Sequence, residues 1–302
     1  MKTTSVINST KTFAILLLSV FFIISVQALA QDEEKEKKPE KPARKAFESA
    51  WWFDGQTGLV YKEKTLEFVI NHRFGLVNQK NKDLFGIYGA SNIRLGFLYA
   101  PIKNLNVGFG YTKNKKILDF YGKYMLLTQT RSNSMPVSLT YHANMGIEFQ
   151  ENENYLKTGD GVNYFHQLIF MRRFGKKFSA QVAPSFSHFN AVVNELQVDG
   201  SDSTWVSQKN DTWAISVGMR YKITPTVILM LGYDQPITQH PVNQPKGSIN
   251  VGVNIVTSSH AFQIFFTNYD RIQPQDNFMF NQNDFSKGEF VIGFNMTRLW
   301  SF

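Results

Sequence analysis

The 302-residue chain contains no cysteine. This absence excludes a disulfide framework, a thiol catalyst, a cysteine-ligated metal site and the lipid attachment residue of a bacterial lipoprotein. Long apolar runs are also missing after the first 30 residues, where no stretch approaches the roughly 18 residues that a spanning helix needs. The mean hydropathy is −0.25. We therefore expect no helical membrane protein.

The chain also lacks the short motifs of metal, nucleotide and nucleic-acid binding. Its six histidines form no HxH or HExxH pattern, and there is no GxGxxG or P-loop. The turn Gly159-Asp160-Gly161 has no regular acidic spacing for calcium. The net charge of +8 is spread over many segments rather than gathered in a Lys/Arg patch. We expect no catalytic residue, no metal site, no cofactor and no nucleic-acid partner.

The N-terminus carries the three parts of a secretory signal. Lys2 and Lys11 precede a short apolar core (13–26, FAILLLSVFFIISV), and Ala28-Leu29-Ala30 forms a small-x-small cleavage site. The alternative is a membrane anchor, but the short core and the Ala-x-Ala favour cleavage. We predict a signal peptide over residues 1–30, cleaved near Ala30, and an exported protein.

Residues 31–46 follow with dense charge (DEEKEKKPEKPARK) interrupted by Pro39 and Pro42. Such a composition predicts a charged disordered linker. The next segment, 47–64, gathers Trp51, Trp52 and Phe53. We expect this aromatic N-terminal segment to act as a plug in whatever follows or to contact a periplasmic partner.

From Thr65 onward, apolar and polar residues alternate with a period of two. In one example Leu66, Phe68 and Ile70 alternate with Glu67 and Asn71. This period indicates strands with one apolar and one polar face. Many apolar positions are aromatic, as in lipid-facing bands, and several segments reach the about 9–11 residues of a tilted spanning strand. A soluble sandwich also alternates, so two further features decide between them.

The first feature is the rhythm of the connections, which tend to alternate long and short, as short periplasmic turns and long outer loops do. The gaps at 113–116 and 128–134 break this rhythm, which leaves counts from 10 to 14 strands open. For residues 65–302 we predict an all-β fold, a transmembrane antiparallel up-and-down β-barrel of about 12 strands. The predicted strands are 65–75, 91–101, 105–113, 116–127, 135–149, 164–174, 178–189, 211–223, 227–235, 247–257, 261–269 and 287–301.

The second feature is the last segment, where one face carries Phe290, Ile292, Phe294, Met296, Trp300 and Phe302. It resembles the C-terminal strand of bacterial outer-membrane proteins, in which a terminal aromatic residue belongs to the assembly signal. The resemblance implies that Trp300 and Phe302 are an assembly signal. It also implies a location in the bacterial outer membrane, with outer-membrane lipid and the barrel-assembly machinery as partners.

Three blocks carry a wider resemblance: KEKTLEFVINHRFG (62–75), HAFQIFFTN (260–268) and the paired aromatics before residue 62. The chain resembles an uncharacterised β-barrel family of Bacteroidota outer-membrane proteins, catalogued as a domain of unknown function, over about residues 47–302. The resemblance implies a membrane barrel in the outer membrane of that phylum and implies no activity.

Charged residues on the polar faces are the best indication of function. The candidate lumen-facing residues are Glu67, Arg73, Arg94, Asp119, Lys123, Glu148, Arg172 and Arg220. Barrels of about eight strands are filled and those of about sixteen hold a channel, so twelve allows either. We predict a narrow pore or transport channel for small solutes. The alternative is a structural or partner-binding barrel of an envelope complex, whose charges fill the lumen as salt bridges.

Two further features leave alternatives open. A lipid-modifying barrel enzyme would use serine and histidine on the lipid-facing surface, but no serine can be assigned to His72, and Ser187 and His188 point to opposite faces. We therefore expect no enzyme.

The stretch 270–286 carries three phenylalanines among polar residues. Either it stacks on sugars or a protein partner, or it folds inward and caps the barrel.

Overall fold

Twelve antiparallel strands close into a barrel in the computed structural model, which describes residues 40–78, 83–150, 155–157, 159–199 and 202–302. Each barrel strand pairs with the next along the chain, and the last pairs with the first to close the ring. The barrel strands are β3 (Thr65–Leu76), β4 (Asn92–Ile102), β5 (Leu105–Thr112), β6 (Ile117–Leu127), β7 (Ser138–Glu148), β8 (Val162–Arg173), β9 (Phe178–Phe189), β12 (Asp211–Lys222), β13 (Val227–Pro236), β14 (Ser248–Val256), β15 (His260–Thr267) and β16 (Val291–Ser301). The predicted fold class and strand number are confirmed.

The alternating sequence sets the two faces of the wall. In β3 the inward side chains of Glu67, Val69 and Asn71 are fully buried, and Phe68 and Ile70 between them point outward. Outward positions elsewhere carry exposed apolar side chains such as Phe97, Phe109, Val251 and Phe266. An apolar outer face is the surface that a barrel presents to lipid. Among the described residues, no helix is long and apolar enough to cross a membrane.

The connections differ between the two ends of the barrel. We call the end where β3 begins and β16 ends the lower end, and the opposite end the upper end. The lower connections are 103–104, 128–137, 174–177, 223–226 and 257–259, and the upper ones are 77–91, 113–116, 149–161, 190–210, 237–247 and 268–290. The short upper turn at 113–116 and the longer lower connection at 128–137 break the rhythm without changing the strand count. An unpredicted hairpin, β10 (Asn194–Asp199) and β11 (Asp202–Ser207), lies in an upper loop.

The chain before β3 enters the lumen from the lower end. Inside it forms a small hairpin, β1 (Trp51–Trp52) and β2 (Gly55–Gln56), and returns to the rim. We call residues 43–61 the N-terminal segment. The aromatic residues Trp51, Trp52 and Phe53 are all buried there. Of the two expectations for these aromatics, the structure shows the segment inside the barrel.

The linker predicted over residues 31–46 is only partly described. Residues 31–39, like the predicted signal peptide at 1–30, lie outside the described residues. Residues 40–46, at the end of the predicted linker, contact the barrel. The Ala43 amide donates to the Gln129 carbonyl at 2.7 Å, and the Arg131 amide donates to the Lys41 carbonyl at 3.0 Å. The lower connection 128–137 therefore holds this stretch by backbone pairing.

The loop between β15 and β16 enters the lumen from the upper end. It forms the short helix α1 (Pro274–Phe280) and a 3-10 turn at Phe285–Lys287. Within α1, Phe278 and Met279 are buried, and Phe278 packs on the inward Phe165 of β8. The loop therefore folds inward and caps the barrel, as one of the two expectations for 270–286 proposed.

Candidate functional site

Four of the predicted lumen-facing charges meet around Trp51 at the tip of the N-terminal segment. Arg94 forms a two-point ion pair with Asp119, with Nε to Oδ1 at 2.8 Å and Nη2 to Oδ2 at 2.7 Å. The Arg94 guanidinium also lies 5.0 Å from the centre of the Trp51 ring. Such a geometry combines charge-assisted hydrogen bonds with a cation–π contact. Arg94 therefore contacts the N-terminal segment while it is paired with Asp119.

Glu67 and Lys123 are the other two charges, and both bind the N-terminal segment directly. Glu67 accepts hydrogen bonds from Trp51 Nε1 at 2.8 Å and from the Tyr61 hydroxyl. Lys123 Nζ donates to the carbonyl of Leu59 at 2.9 Å and to that of Thr57 at 3.3 Å. Both charges are fully enclosed, and burial of charge is tolerated only with such partners.

Arg73, Arg220 and Glu148 also face the interior. The Arg73 guanidinium lies 4.7 Å from the centre of the Phe265 ring, and its Nη1 donates to Asn295 Oδ1 at 3.1 Å. Arg220 donates from Nε to the Ala46 carbonyl at 2.6 Å and pairs with Glu48 at 3.3 Å. Glu148 accepts from Lys115 Nζ at 2.9 Å near the upper end.

Arg172 does not face the interior, so its predicted position is wrong. It stands opposite Ala180 on the outer face, with its guanidinium 5.1 Å from the centre of the Phe174 ring. The neighbouring Arg173 points inward instead. The reason lies in β8, whose inward residues include the apolar Phe165 and Ile169. Apolar residues therefore occur on both faces of this strand, and polarity no longer marks the inward one.

The two aromatic residues named as an assembly signal lie at the lower rim. Trp300 continues the outward face of β16, and the Arg298 guanidinium lies 5.1 Å from the centre of its ring. The Phe302 side chain is 79% exposed, while its amide donates to the Lys64 carbonyl at 3.0 Å. Both rings are therefore placed at the lower edge of the outer face.

Sequence reasoning missed how the wall recognises the main chain of the N-terminal segment. Besides Lys123 and Arg220, five wall side chains donate to its carbonyl oxygens. They are Arg173 to Lys45 at 3.0 Å, Gln263 to Trp51 at 2.9 Å, Asn295 to Phe53 at 2.6 Å, Gln181 to Gln56 at 3.1 Å and Thr140 to Gly58 at 2.7 Å. The seven donors come from seven different strands. The inward amide and hydroxyl side chains of the predicted strands were the sequence feature that could have indicated this recognition.

Aromatic packing fills the space between these hydrogen bonds. Trp52 makes edge contacts with Phe47 and Phe53, and Phe53 makes one with the inward Phe265 at 5.0 Å. The wall makes room for Trp52 with glycine: a Cβ atom on Gly218 would lie 2.8 Å from the indole ring. Because real Cβ contacts are longer than this, the wall and the segment are shaped for one another.

The N-terminal segment and α1 meet near the middle of the lumen at Asp54. The Asp54 carboxylate accepts from the Tyr269 hydroxyl at 2.8 Å and from Asn277 Nδ2 at 2.6 Å. Burial raises the pKa of the Asp54 carboxyl, and the Arg73 charge and the two hydrogen bonds oppose this rise. Asp54 therefore joins an element that enters from below to one that enters from above.

The two elements leave little open space between them. A cavity of about 20 Å³ lies between Trp51, Asp54 and Gln273, and one of about 10 Å³ lies beside Phe47 and Arg220. A single water needs at least about 10–15 Å³, so these two spaces are on the scale of single waters. A larger cavity of about 210 Å³ opens at the upper end beside Lys115, Arg271 and Phe280. In the described part of the chain, the N-terminal segment and α1 thus narrow the middle of the lumen.

Comparison with known proteins identifies the family. Residues 47–300 match the family described as "Membrane bound beta barrel domain (DUF5777)". The chain belongs to this family. The match covers the N-terminal segment from Phe47 onward as well as the barrel, so both belong to the domain. The chain is thus a membrane β-barrel domain of a family of unknown function. No curated protein matches it.

Several solved barrel structures are similar to the chain at low identity. The COG4313 outer membrane channel from Pseudomonas putida F1 is 11% identical, with a TM-score of 0.49 over 80% of this chain and 97% of that chain. The NanC porin is 9% identical, with a TM-score of 0.46 over 78% of this chain and 99% of that chain. The KdgM porin, solved with disordered oligogalacturonate, is 8% identical, with a TM-score of 0.43 over 79% of this chain and 99% of that chain.

Proposed function

We propose that this protein is an outer-membrane channel for small solutes that its own N-terminal segment and α1 hold closed. The proposal rests on which parts of the chain fill the lumen. The filling comes from the chain before the first barrel strand and from an upper loop, whereas the wall contributes an inner face on which polar and charged residues outnumber apolar ones such as Phe165 and Phe265. A wall that is polar and charged suits water and solutes once its occupants leave.

The connection of the N-terminal segment to the barrel favours movement over permanent filling. Its last residue, Tyr61, is joined to β3 by Lys62, Glu63 and Lys64, which are exposed at the lower rim. No barrel strand has to break for the segment to leave, because the strands hold it through side chains and its backbone bond from Ala43 goes to the lower connection 128–137. With the predicted signal peptide, the proposal places the lower end on the periplasmic side.

A reversible lock tests the proposal in the full-length protein. A Cβ atom on Gly58 would lie 3.2 Å from Met171 Cγ. The two Cβ atoms therefore lie within about 5 Å, near the 3.5–4.5 Å that a disulfide requires. The double variant Gly58→Cys/Met171→Cys also removes the methionine atoms that crowd this position. Because the chain has no cysteine, the engineered pair is the only possible disulfide.

Planar-bilayer recordings provide the measurement. We expect brief openings of the full-length protein, which stop when the engineered pair is oxidised and return when it is reduced. The single variants Gly58→Cys and Met171→Cys serve as controls and should open under both conditions. If the full-length protein never conducts at any voltage, the channel is refuted and the structural, partner-binding barrel takes its place. Openings that persist in the oxidised protein would show that the segment is not the gate.

A further inference from the structure

Among the described residues, seven side chains of the wall donate hydrogen bonds to main-chain carbonyls of the N-terminal segment. The seven donors reach carbonyl oxygens spread between Lys45 and Leu59. A main-chain carbonyl is common to every peptide, so such contacts give affinity without reading the sequence. Other contacts depend on side-chain identity, such as those of Glu67 with Trp51 and Tyr61 and of Arg220 with Glu48.

The main-chain amides of the segment behave differently from its carbonyls. The Thr57 amide donates to the Ala50 carbonyl, and the Leu59 amide donates to the Thr57 hydroxyl. The Trp51 amide donates to the Ser49 hydroxyl. The segment thus satisfies these donors within itself and turns its carbonyls toward the wall. The emptied wall would present a set of hydrogen-bond donors, and a ligand rich in acceptors can pair with them.

We propose that the lower lumen is a binding site for peptides, and that the N-terminal segment occupies it as an internal ligand. This inference rests on the proposed channel, because the site becomes available only when the segment leaves. It names peptides as the substrate class, recognised by their carbonyl groups. The aromatic residues of the segment strengthen its own binding to the wall. The hydrogen-bond donors of the wall can bind the carbonyl groups of any peptide.

Cleavage after folding makes the site accessible in the complete chain. A specific protease site is inserted between Lys62 and Glu63, which are exposed at the lower rim. The protein is folded intact and then cut, so the segment stays in the lumen without a covalent link. Two fluorescent peptides compete for its place: the sequence of residues 43–61 and a scrambled sequence of the same composition. Fluorescence anisotropy reports their binding.

We expect both peptides to enter the lumen, the scrambled one with affinity within about a hundredfold of the native one. The variant Gln181→Ala, which removes a main-chain donor, should weaken both peptides by the same factor, about fivefold for one hydrogen bond. The matched variant Glu67→Ala should weaken the native peptide alone, because Glu67 contacts the side chains of Trp51 and Tyr61.

Three outcomes would overturn the inference. Entry of the native peptide alone would mean a dedicated plug, entry of neither would mean that the segment is part of the fold, and equal displacement by a linear oligosaccharide would remove peptides as the class. Conductance recorded on the same cleaved sample separates these results from the channel itself. A rise in conductance as the cut segment leaves supports the channel whichever peptide binds.

Discussion

At the scale of single residues, the Arg94–Asp119 pair is a buried ion pair of the wall. Both side chains are almost fully enclosed, at 2% and 1% exposure. Removal of one member of a buried pair leaves an uncompensated charge and typically costs about 3–5 kcal/mol. We therefore expect Arg94→Met to lower the free energy of unfolding by about that amount, measured by urea titration of the refolded protein with heat-modifiable gel mobility.

The double variant Arg94→Met/Asp119→Leu should lose less than the single variant, since it leaves no unpaired charge. A second comparison is Lys222→Met, which breaks the Lys222–Glu48 pair at 2.8 Å. That pair is partly exposed, so its loss should cost about 1 kcal/mol or less. Equal losses for Arg94→Met and Lys222→Met would contradict the enclosed position of Arg94.

At the scale of elements, Asp54 is the contact between the N-terminal segment and α1. Residues that share a hydrogen bond couple by about 0.5–3 kcal/mol, and residues without shared partners add independently. A double-mutant cycle of Asp54→Ala with Asn277→Ala should therefore show coupling of about 1–3 kcal/mol in the free energy of unfolding. The control cycle uses Gln275→Ala, because Gln275 bonds to Asn144 and Asn163 instead of Asp54.

Coupling near zero in the first cycle, or equal coupling in both, would show that the two lumen elements are held by the wall alone. Coupling confined to the first cycle would mean that displacement of the N-terminal segment at the lower end destabilises α1 at the upper end, and the reverse. Such reciprocity follows from linkage between two sites that share one equilibrium.

At the scale of the whole molecule, the outward apolar face decides how the barrel sits in lipid. Val251 lies in the middle of β14 on that face. An arginine there should cost about 2–4 kcal/mol, the penalty for a cation near the bilayer midplane. The control Ser258→Arg lies in the exposed lower turn of the same hairpin and should change stability by about 0.5 kcal/mol or less. Folded yield in lipid vesicles measures both, and equal yields would refute the membrane register.

Much of this architecture can be predicted from the sequence, because lipid requires apolar residues at the outward positions of every strand, which are every second residue. The prediction for β9, 178–189, coincides with Phe178–Phe189, since period-two alternation continues to both ends. The rule fails where the lumen is not filled by water or wall side chains. Phe165 and Ile169 face inward in β8, where Phe165 packs against Phe278 of α1, and these inward apolar residues reversed the assignment of Arg172.

The candidate site was predictable only in part. Inward charges such as Glu67 and Lys123 follow from alternation, which gives the face of a side chain but not its partner. Those partners come from the N-terminal segment, which lies outside the alternating region and has no period of its own. Recognition of its carbonyls by seven strands depends on where the segment runs in the closed barrel, which no local pattern records.

The three-residue connection at Lys62–Lys64 has a consequence in mass action. A short tether confines the segment at an effective concentration on the order of 1 mM, whatever the amount of protein in the membrane. If the detached segment bound with a dissociation constant of about 10 μM, the tethered lumen would be vacant about 1% of the time. A free competitor would need about millimolar levels to share the site equally. The chain thus sets its own resting occupancy, and changes in expression leave that ratio untouched.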